Sequence, residues 1–378
     1  MSDRSDADAR PLRIYRLGPV EYDAGSRLQE IYHAARASGQ APDALFLLSH
    51  PPVVTLGRGA DRRNVLASEE ELRRRGILLF ETGRGGDVTF HGPSQLIGYP
   101  VIDLRPDRMD VGRYLRDLEQ VLIQALEDLG IEGRREPGAT GVWVGQEKVA
   151  AIGVRVARWT TSHGFALNVG RDLSGFETIV PCGLRGRGVT SVSRLAGREV
   201  SPLDVEEIVI SRFCEVFGRR GEEAGVARES VQVWLSRPDA RGPRFLLLRR
   251  TDARGAIWQP VTGSRESGES LEECARREVM EETGFAIGTL TDLRYAQTFA
   301  VDARFTGAPV PQFTLNREHA FAAEAPEGSE PRLDPKEHDA ARWATAREAH
   351  EMVFFEANRE SLRRALSGAA SRLAPVEG

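Results

Sequence analysis

The chain has 378 residues, a formal net charge of −5 and a 40% hydrophobic content. It is too long for one ordinary domain, and its composition excludes collagen-like, disulfide-scaffold and wholly disordered proteins. Without a basic excess or an apolar run near the ~18 residues that span a membrane, neither nucleic acid nor membrane is an expected partner. Three cysteines and a polar start without a signal core favour a soluble, cytoplasmic protein.

Residues 1–11 are predicted to be a mobile tail. The following half alternates short apolar runs with amphipathic segments. Strands are predicted at 44–48, 53–56, 77–80, 96–104, 141–144, 148–156 and 165–169. Asp110 is expected to cap a long helix that ends near Gly130, and a second helix is expected over 203–217. Residues 12–217 therefore form the first predicted domain, an α+β domain with a mixed sheet.

The second half begins after a charged, glycine-rich segment at 218–229, which we predict to be a linker. Strands are expected at 231–235 and 245–248, followed by a helix over 270–283. No internal repeat relates the two halves. Residues 230–378 are therefore predicted to be a second domain of a different kind.

The predicted helix of the second half carries a dense acidic pattern within GSRESGESLEECARREVMEETGF, residues 263–285. Ser270 and Glu273 have capping-box spacing. Three carboxylates share one face of the helix: Glu278, Glu281 and Glu282. Their face lies close to the apolar stripe rather than opposite it, so the carboxylates converge at the edge of the core. Such convergence is costly unless a cation neutralises it, and oxygen ligands favour Mg²⁺ or Mn²⁺.

This segment resembles the Nudix box, G-x5-E-x7-R-E-U-x-E-E-x-G-U, with Phe285 as its one mild departure. The resemblance implies an α/β/α sandwich that hydrolyses a small diphosphate-containing substrate. It assigns Glu278 and Glu282 as metal ligands and Glu281 as a ligand or base. Segments outside the box are similar to the dihydroneopterin triphosphate pyrophosphatase branch: 258–263, 337–339 and Trp343.

Two residues of the first half stand out by type and setting. Only Lys148 and Lys336 are lysines among 51 basic residues, and an amine can lose a proton where a guanidinium cannot. Cys182 lies between proline and glycine, which indicates an exposed turn. A nucleophilic thiol needs a nearby base or positive charge, and Lys148 is the best candidate. From this pattern alone, a buried and inert Cys182 remains open, whereas Cys214 is expected in the core.

Five segments of the first half occur in a fixed order: HPP at 50–52, RGGDVTFH at 84–91, KVAAIG at 148–153, HGFALN at 163–168 and PCG at 181–183. They resemble the lipoyl(octanoyl) transferases of the lipoate and biotin protein ligase superfamily. The resemblance implies that Cys182 attacks the octanoyl thioester of octanoyl-acyl carrier protein. A lysine of a lipoyl domain, in 2-oxoacid dehydrogenases or the glycine cleavage H protein, then accepts the octanoyl group. Lys148 would lower the thiol pKa and relay protons, with no cofactor for acyl transfer.

The same resemblance assigns a substrate-binding set. Its members are Arg84, Gly85, Gly86, Asp87, Val88, Thr89, Phe90, His91, Ala151, Ile152, Gly153, Gly164, Phe165 and Ala166. The paired glycines would let the backbone approach the acyl chain. His91 either positions the substrate or is structural, and His163 is expected to be structural.

Two rival interpretations stay open. An ATP-dependent lipoate- or biotin-protein ligase of the same superfamily would use a lysine for the activated phosphate and would not need Cys182. Alternatively, one half is a regulatory or binding module. The intact Nudix box and the Cys–Lys pair favour a bifunctional enzyme, an octanoyltransferase joined to a Nudix hydrolase.

Overall fold

The computed structural model describes residues 9–183, 186–240, 242–301 and 313–373. The chain divides into two compact units, Met1–Gly225 and Val226–Gly378. None of the helices within those described ranges is both long enough and apolar enough to cross a membrane.

The first unit is a mixed α/β structure with two sheets. Its strands are β1 Arg10–Pro19, β2 Asp43–Ser49, β3 Val53–Leu56, β4 Leu78–Glu81, β5 Val88–His91, β6 Gln95–Val101, β7 Arg134–Glu136, β8 Ala139–Val144, β9 Glu147–Ala157, β10 Thr160–Asn168 and β11 Arg219–Glu223. Its helices are α1 Tyr22–Ala37, α2 Glu69–Arg74, α3 Val111–Asp128, α4 Val192–Leu195 and α5 Pro202–Phe217. The large sheet has the order β11-β1-β2-β6-β10-β9-β8-β7, and a small sheet has the order β4-β3-β5.

Helices α3 and α5 cover one face of the large sheet and form its main core. Asp110 caps α3 by accepting a hydrogen bond from the Arg113 amide, as the sequence predicts. Tyr114 of α3 and Phe217 of α5 meet edge to face within this core. Helix α1 lies against β6 and β10 instead. The large sheet therefore has helices on both faces, and α1 borders β10, which carries the predicted substrate-binding residues 164–166.

The boundaries of the first unit differ from those expected. Strand β1 begins at Arg10, inside the expected tail 1–11, and β11 occupies part of the expected linker 218–229. Strand β11 pairs in parallel with β1 at the sheet edge. The Arg219 guanidinium also pairs with the buried Asp43 carboxylate at 3.0 Å. Most β11 side chains face away from the core, so the strand carries no apolar pattern that sequence could reveal.

The second unit is built on a seven-stranded sheet. Its strands are β12 Arg228–Arg237, β13 Arg244–Arg250, β14 Trp258–Gln259, β15 Val261–Ser264, β16 Leu290–Ala300, β17 Leu315–Glu324 and β18 His338–Thr345. Its helices are α6 Leu271–Thr283, α7 Ala346–Met352 and α8 Glu356–Leu373. The order β14-β13-β12-β17-β16 forms the sheet path, with β15 paired to β12 and β18 paired to β13.

Alternate side chains of β12 pack into two different apolar layers. Val231 and Val233 pack in the layer that includes α6, whereas Trp234 packs in the layer that includes α8. The Trp234 indole donates a hydrogen bond to the Ser361 hydroxyl of α8 at 2.8 Å. Helices on both faces of a mixed sheet confirm the predicted α/β/α sandwich, and the α+β class is confirmed for both units.

Candidate active sites

A cleft of about 500 Å³ in the first unit gathers the predicted substrate-binding segments. All of the predicted binding residues line it except Gly85 and Phe90. The Gly85 amide instead donates to the Val154 carbonyl of β9 at 2.9 Å, and Phe90 packs on Phe176 in a separate apolar cluster. The sequence therefore identified the segments that form the cleft. Two residues of the predicted set, Gly85 and Phe90, do not line it.

Three further residues line the cleft: Tyr22, Tyr99 and His163. Tyr22 begins α1 and Tyr99 lies in β6, so neither belongs to a recognised motif. The expected structural His163 lies in β10 and also reaches the cleft. No local pattern could have singled out the two tyrosines, because only the order of the strands brings them beside β5.

Glycines position the loop that precedes β5. A Cβ added at Gly57 would lie 2.3 Å from the Gly86 carbonyl oxygen, and one at Gly153 would lie 3.0 Å from the Gly85 carbonyl oxygen. The loop therefore lies in backbone contact with residues that follow β3 and lie within β9. Side chains at these positions would push the loop away from the cleft.

Arg84 anchors the same loop from within. Its buried guanidinium donates to the Thr55 carbonyl at 2.7 Å and to the Thr55 hydroxyl at 2.8 Å. It also donates to the Gly85 carbonyl at 3.0 Å. These bonds tie the loop to β3 and leave a fixed positive charge in the cleft wall.

The histidines around the cleft are held in their neutral form. Burial lowers the pKa of His50 to about 4, and its ring contacts the Tyr99 hydroxyl at 2.7 Å. Burial also lowers the pKa of His163 to about 4, with the Arg84 charge as a further cause. For His91 burial, His50 and Arg84 together hold the pKa well below its usual range. Apart from Arg84 and Asp87, the cleft wall is therefore uncharged near neutral pH and suits an uncharged chain.

His91 is also part of a hydrogen-bonded chain. Its Nδ1 lies 3.1 Å from the Gln95 side-chain oxygen, and the Gln95 amide donates to the Asn168 side-chain oxygen at 2.8 Å. The Asn168 amide donates to the Thr190 carbonyl at 3.0 Å. His91 therefore lies in the cleft wall, as a residue that positions the substrate would. It also has a fixed hydrogen-bond partner, as a structural histidine would.

The backbone of Cys182 lies in a short 3-10 turn, Pro181–Gly183, whereas the Cys182 side chain lies outside the described part of the structure. A Cβ added at Gly183 would lie 2.6 Å from a carboxylate oxygen of Asp87. The same oxygen accepts a hydrogen bond from the Asn64 side chain at 2.6 Å. The turn is therefore held against Asp87, one of the residues that line the cleft.

Lys148 lies near the start of β9 with a buried side chain. Its Nζ donates to the Thr140 carbonyl at 3.0 Å and lies 4.9 Å from the centre of the Trp143 ring. Its backbone exchanges two hydrogen bonds, each of 3.0 Å, with Gly188 and Thr190. This backbone pairing fixes Lys148 to the segment that follows the Cys182 turn.

The second unit contains an acidic site organised by Arg277 of α6. The Arg277 guanidinium donates to Glu269, Glu278 and Glu281 at 2.8, 2.7 and 3.0 Å. It also donates to the Ser264 carbonyl at 3.0 Å. One cation thus holds three carboxylates of the motif in place through charge-assisted hydrogen bonds.

Glu282 lies at the centre of a possible metal site. Glu282, Glu337 and His338 each offer one ligand atom, and these atoms lie within 4.8 Å of one another. Burial, with the Glu278 charge as a further cause, raises the pKa of Glu282 well above its usual range. Burial also raises the pKa of Glu278. Buried carboxylates repel one another when they are ionised, and a bound divalent cation would offset that repulsion. This oxygen-rich donor set therefore suits a divalent cation.

Room for Glu278 comes from Gly263. A Cβ at Gly263 would lie 1.7 Å from the Glu278 carboxyl carbon, so only glycine permits this carboxylate position. The side chain of Glu281 is 59% exposed and is ion-paired with Arg277. Of the three predicted carboxylates, Glu282 belongs to the cluster with Glu337 and His338, whereas Glu278 and Glu281 do not. The resemblance outside the box had indicated 337–339, and Glu337 and His338 do reach Glu282.

The two cysteines with described side chains are not activated nucleophiles. Cys274 is fully buried on α6, and burial raises its pKa to about 12. Burial also raises the pKa of Cys214, which packs against the core of the first unit. Both thiols are held in the protonated form, as expected of packing residues.

Residues 21–214 match the lipoyl protein ligase A/B catalytic domain, and residues 226–365 match the NUDIX domain. The chain therefore belongs to the lipoyl protein ligase A/B family and carries a NUDIX domain as its second unit. Both predicted resemblances are confirmed.

Two octanoyltransferases agree with this assignment. An octanoyltransferase of Myxococcus xanthus is 44% identical over 362 residues, which cover 94% of this chain and 99% of the relative. An octanoyltransferase of Solibacter usitatus is 52% identical over 54% of this chain and 92% of its own length. The solved E. coli dihydroneopterin triphosphate pyrophosphohydrolase is 28% identical over 38% of this chain and 99% of its own, with a TM-score of 0.33.

Proposed function

We propose that the first unit transfers an octanoyl group from octanoyl-acyl carrier protein to a lysine of a lipoyl domain, through a thioester on Cys182. The observation that carries this proposal is the largely uncharged cleft with the Cys182 turn held against Asp87. Lys148, fixed to the segment after that turn, supports it further. Lipoyl domains of 2-oxoacid dehydrogenases and the glycine cleavage H protein are the proposed acceptors.

In the proposed reaction, the Cys182 thiolate attacks the thioester carbonyl, and the carrier thiolate leaves and takes up a proton. The acceptor amine then attacks the new thioester, so that an amide forms and the Cys182 sulfur departs. Lys148 moves the proton between the incoming amine and the departing sulfur. No activated phosphate is needed, because the donor is already a thioester.

Intact mass spectrometry tests this mechanism. Incubation with octanoyl-acyl carrier protein should add one octanoyl group to the wild-type protein and none to Cys182→Ser. Cys214→Ser is the matched control and should acquire the group. A mass gain that persists in Cys182→Ser would contradict this mechanism, whereas transfer that requires ATP and free octanoate would support the ATP-dependent ligase alternative.

We further propose that the second unit hydrolyses a diphosphate-containing nucleoside or pterin substrate with Mg²⁺ or Mn²⁺. Glu278 and Glu282 would hold the metal, with Glu337 and His338 completing the oxygen- and nitrogen-donor set. When bound, the metal would activate a water and shield phosphate charge. Arg277 keeps Glu278 oriented, and Glu281 remains the candidate base or outer ligand.

A substrate panel with Mg²⁺ tests this second activity. It should include nucleoside triphosphates, dihydroneopterin triphosphate, dinucleoside polyphosphates, nucleotide sugars and coenzyme A. Hydrolysis should be lost in Glu282→Gln and on chelation of the metal, while octanoyl transfer continues. Glu281→Gln separates the two roles left to that residue, because loss of turnover with intact metal binding identifies a base. No hydrolysis across the panel would favour the binding-module alternative.

A further inference from the structure

The cleft that gathers the predicted substrate-binding segments is called the acyl cleft below. A second cleft, of about 1020 Å³, lies beside it in the first unit. Two residues line both clefts: Tyr22 and His163. The remaining lining of the second cleft includes charged side chains of both signs. Its charged lining residues are Asp23, Arg27, Glu30, Glu81 and Arg155. The two shared side chains therefore stand between a largely uncharged cavity and a charged one.

Tyr22 and His163, which together form a partition between the two clefts, are each held in place by their surroundings. The Tyr22 ring lies 5.1 Å from the Phe80 ring and 5.1 Å from the His50 ring. His163 has a φ of +56°, which a non-glycine residue seldom adopts within a strand. Its amide donates to the Gln29 side-chain oxygen of α1 at 2.6 Å. Strain of this kind persists only where the surrounding structure enforces it, which is common at binding sites.

Strand β5, which lies between the Cys182 turn and the partition, is about as long as an extended eight-carbon chain. The cleft begins at Asp87, against which the Cys182 turn packs, and β5 then runs from Val88 to His91. Three strand steps advance about 10 Å. Tyr22 stacks on His91 at 6.4 Å between ring centres. An octanoyl chain has seven carbon–carbon bonds and spans about 9 Å, taking about 1.2 Å per bond as in an extended backbone.

We infer that Tyr22 and His163 form a wall that ends the acyl cleft and sets the length of the chain it accepts. A chain longer than eight carbons would have to displace these two side chains. It would then place its methyl end in the charged second cleft. The inference rests on the proposed octanoyl transfer and names the residues that determine its specificity.

His163→Gly tests the wall with little risk to folding. Glycine adopts a φ of +56° without strain, so the substitution removes the ring and relieves the backbone. Transfer to a lipoyl domain should be measured from a series of acyl-carrier proteins bearing hexanoyl to tetradecanoyl groups. The ratio of dodecanoyl to octanoyl transfer should rise about tenfold or more, the scale on which pockets discriminate single methylenes.

Tyr22→Ala opens the other half of the wall and should shift the profile in the same direction. Arg158→Gly is the matched control, because Arg158 also has a positive φ but lies exposed in the β9–β10 turn. It should keep the wild-type profile. An unchanged profile in both wall variants, or an equal loss at every chain length, would overturn the inference. Absence of octanoyl transfer in the wild type would contradict the proposed function instead.

Discussion

The two candidate active sites use burial in opposite ways. In the acyl cleft, burial lowers the pKa of His50 and His163 to about 4, so potential cations become neutral. In the acidic site, burial raises the pKa of Glu278 and Glu282, and three possible ligand residues lie with their ligand atoms within 4.8 Å of one another. The first arrangement removes charge from a cavity for an uncharged chain, and the second concentrates charge that a cation can neutralise.

This contrast explains why one unit is expected to need a metal and the other is not. Arg277 binds three carboxylates from one side and cannot neutralise the Glu282 cluster as well. In the first unit, the buried Arg84 of the cleft wall already donates to backbone and hydroxyl oxygens. The chemistry proposed there uses the Cys182 thiol and the Lys148 amine.

The largest effect should come from Lys148→Arg. The buried Nζ fits between the Thr140 carbonyl and the Trp143 ring, and a guanidinium is both larger and unable to give up a proton. Octanoyl transfer should fall about 10³-fold, the scale of general acid–base catalysis, while hydrolysis by the second unit is unchanged.

Arg187→Lys is the matched control for Lys148→Arg. The Arg187 guanidinium lies 5.0 Å from the centre of the same Trp143 ring but is partly exposed. Its replacement should reduce transfer only slightly. Near-normal turnover of Lys148→Arg in steady-state assays would remove Lys148 from the proposed proton relay.

Gly263→Ala should have the opposite effect to Lys148→Arg, because it should impair the second unit and spare the first. The added methyl would overlap the Glu278 carboxyl group, so the carboxylate must move by an ångström or more. Hydrolysis should fall about 100-fold, and octanoyl transfer should persist. Gly288→Ala is the control, because a Cβ there meets no atom within 4 Å. Full hydrolysis by Gly263→Ala would show that the position of Glu278 is unimportant.

The neutral histidines predict a pH dependence of stability for the first unit. The folded pKa of His50, about 4, lies below its ordinary value of 6.5, so the unfolded chain binds the extra proton between these values. The stabilisation is therefore complete above about pH 6.5 and is lost as pH falls towards 4, by about 3 kcal/mol for this residue.

Urea unfolding between pH 7.5 and 5 measures this dependence. His50→Asn is expected to be less stable at neutral pH, because it loses the contact with Tyr99. The slope of its unfolding free energy against pH should nevertheless be smaller, by about the contribution of one bound proton. The same slope in wild type and variant would mean that His50 titrates normally in the folded protein.

The smallest effect should come from removing a helix cap. Ser270 accepts a hydrogen bond from the Glu273 amide at 3.2 Å, and Glu273 accepts one from the Ser270 amide at 2.8 Å. Ser270→Ala should cost about 1 kcal/mol in urea unfolding and leave hydrolysis nearly intact. Ser201→Ala removes the same capping box from α5 of the first unit and should cost a similar amount. A large loss of hydrolysis in Ser270→Ala would indicate that the cap also positions the acidic site.

Local signals in the sequence determined the elements that hold each site. The predicted strand 53–56 is β3 residue for residue, and Asp110 and Ser270 cap the helices predicted to follow them. Caps, periodicity and motif spacing act within about ten residues, so a single stretch of sequence encodes them.

Tertiary structure alone decided which distant groups meet. Tyr22 and Tyr99 reach the acyl cleft because α1 and β6 border β10, and no spacing along the chain predicts that meeting. Strand β11 carries no apolar pattern and exists because its backbone pairs with β1 more than two hundred residues earlier. The depressed histidine pKa values and the Glu282 cluster arise from burial among these distant partners. Burial belongs to the packed chain as a whole, so the sequence determined the residues and their local elements, whereas the fold decided their charge states.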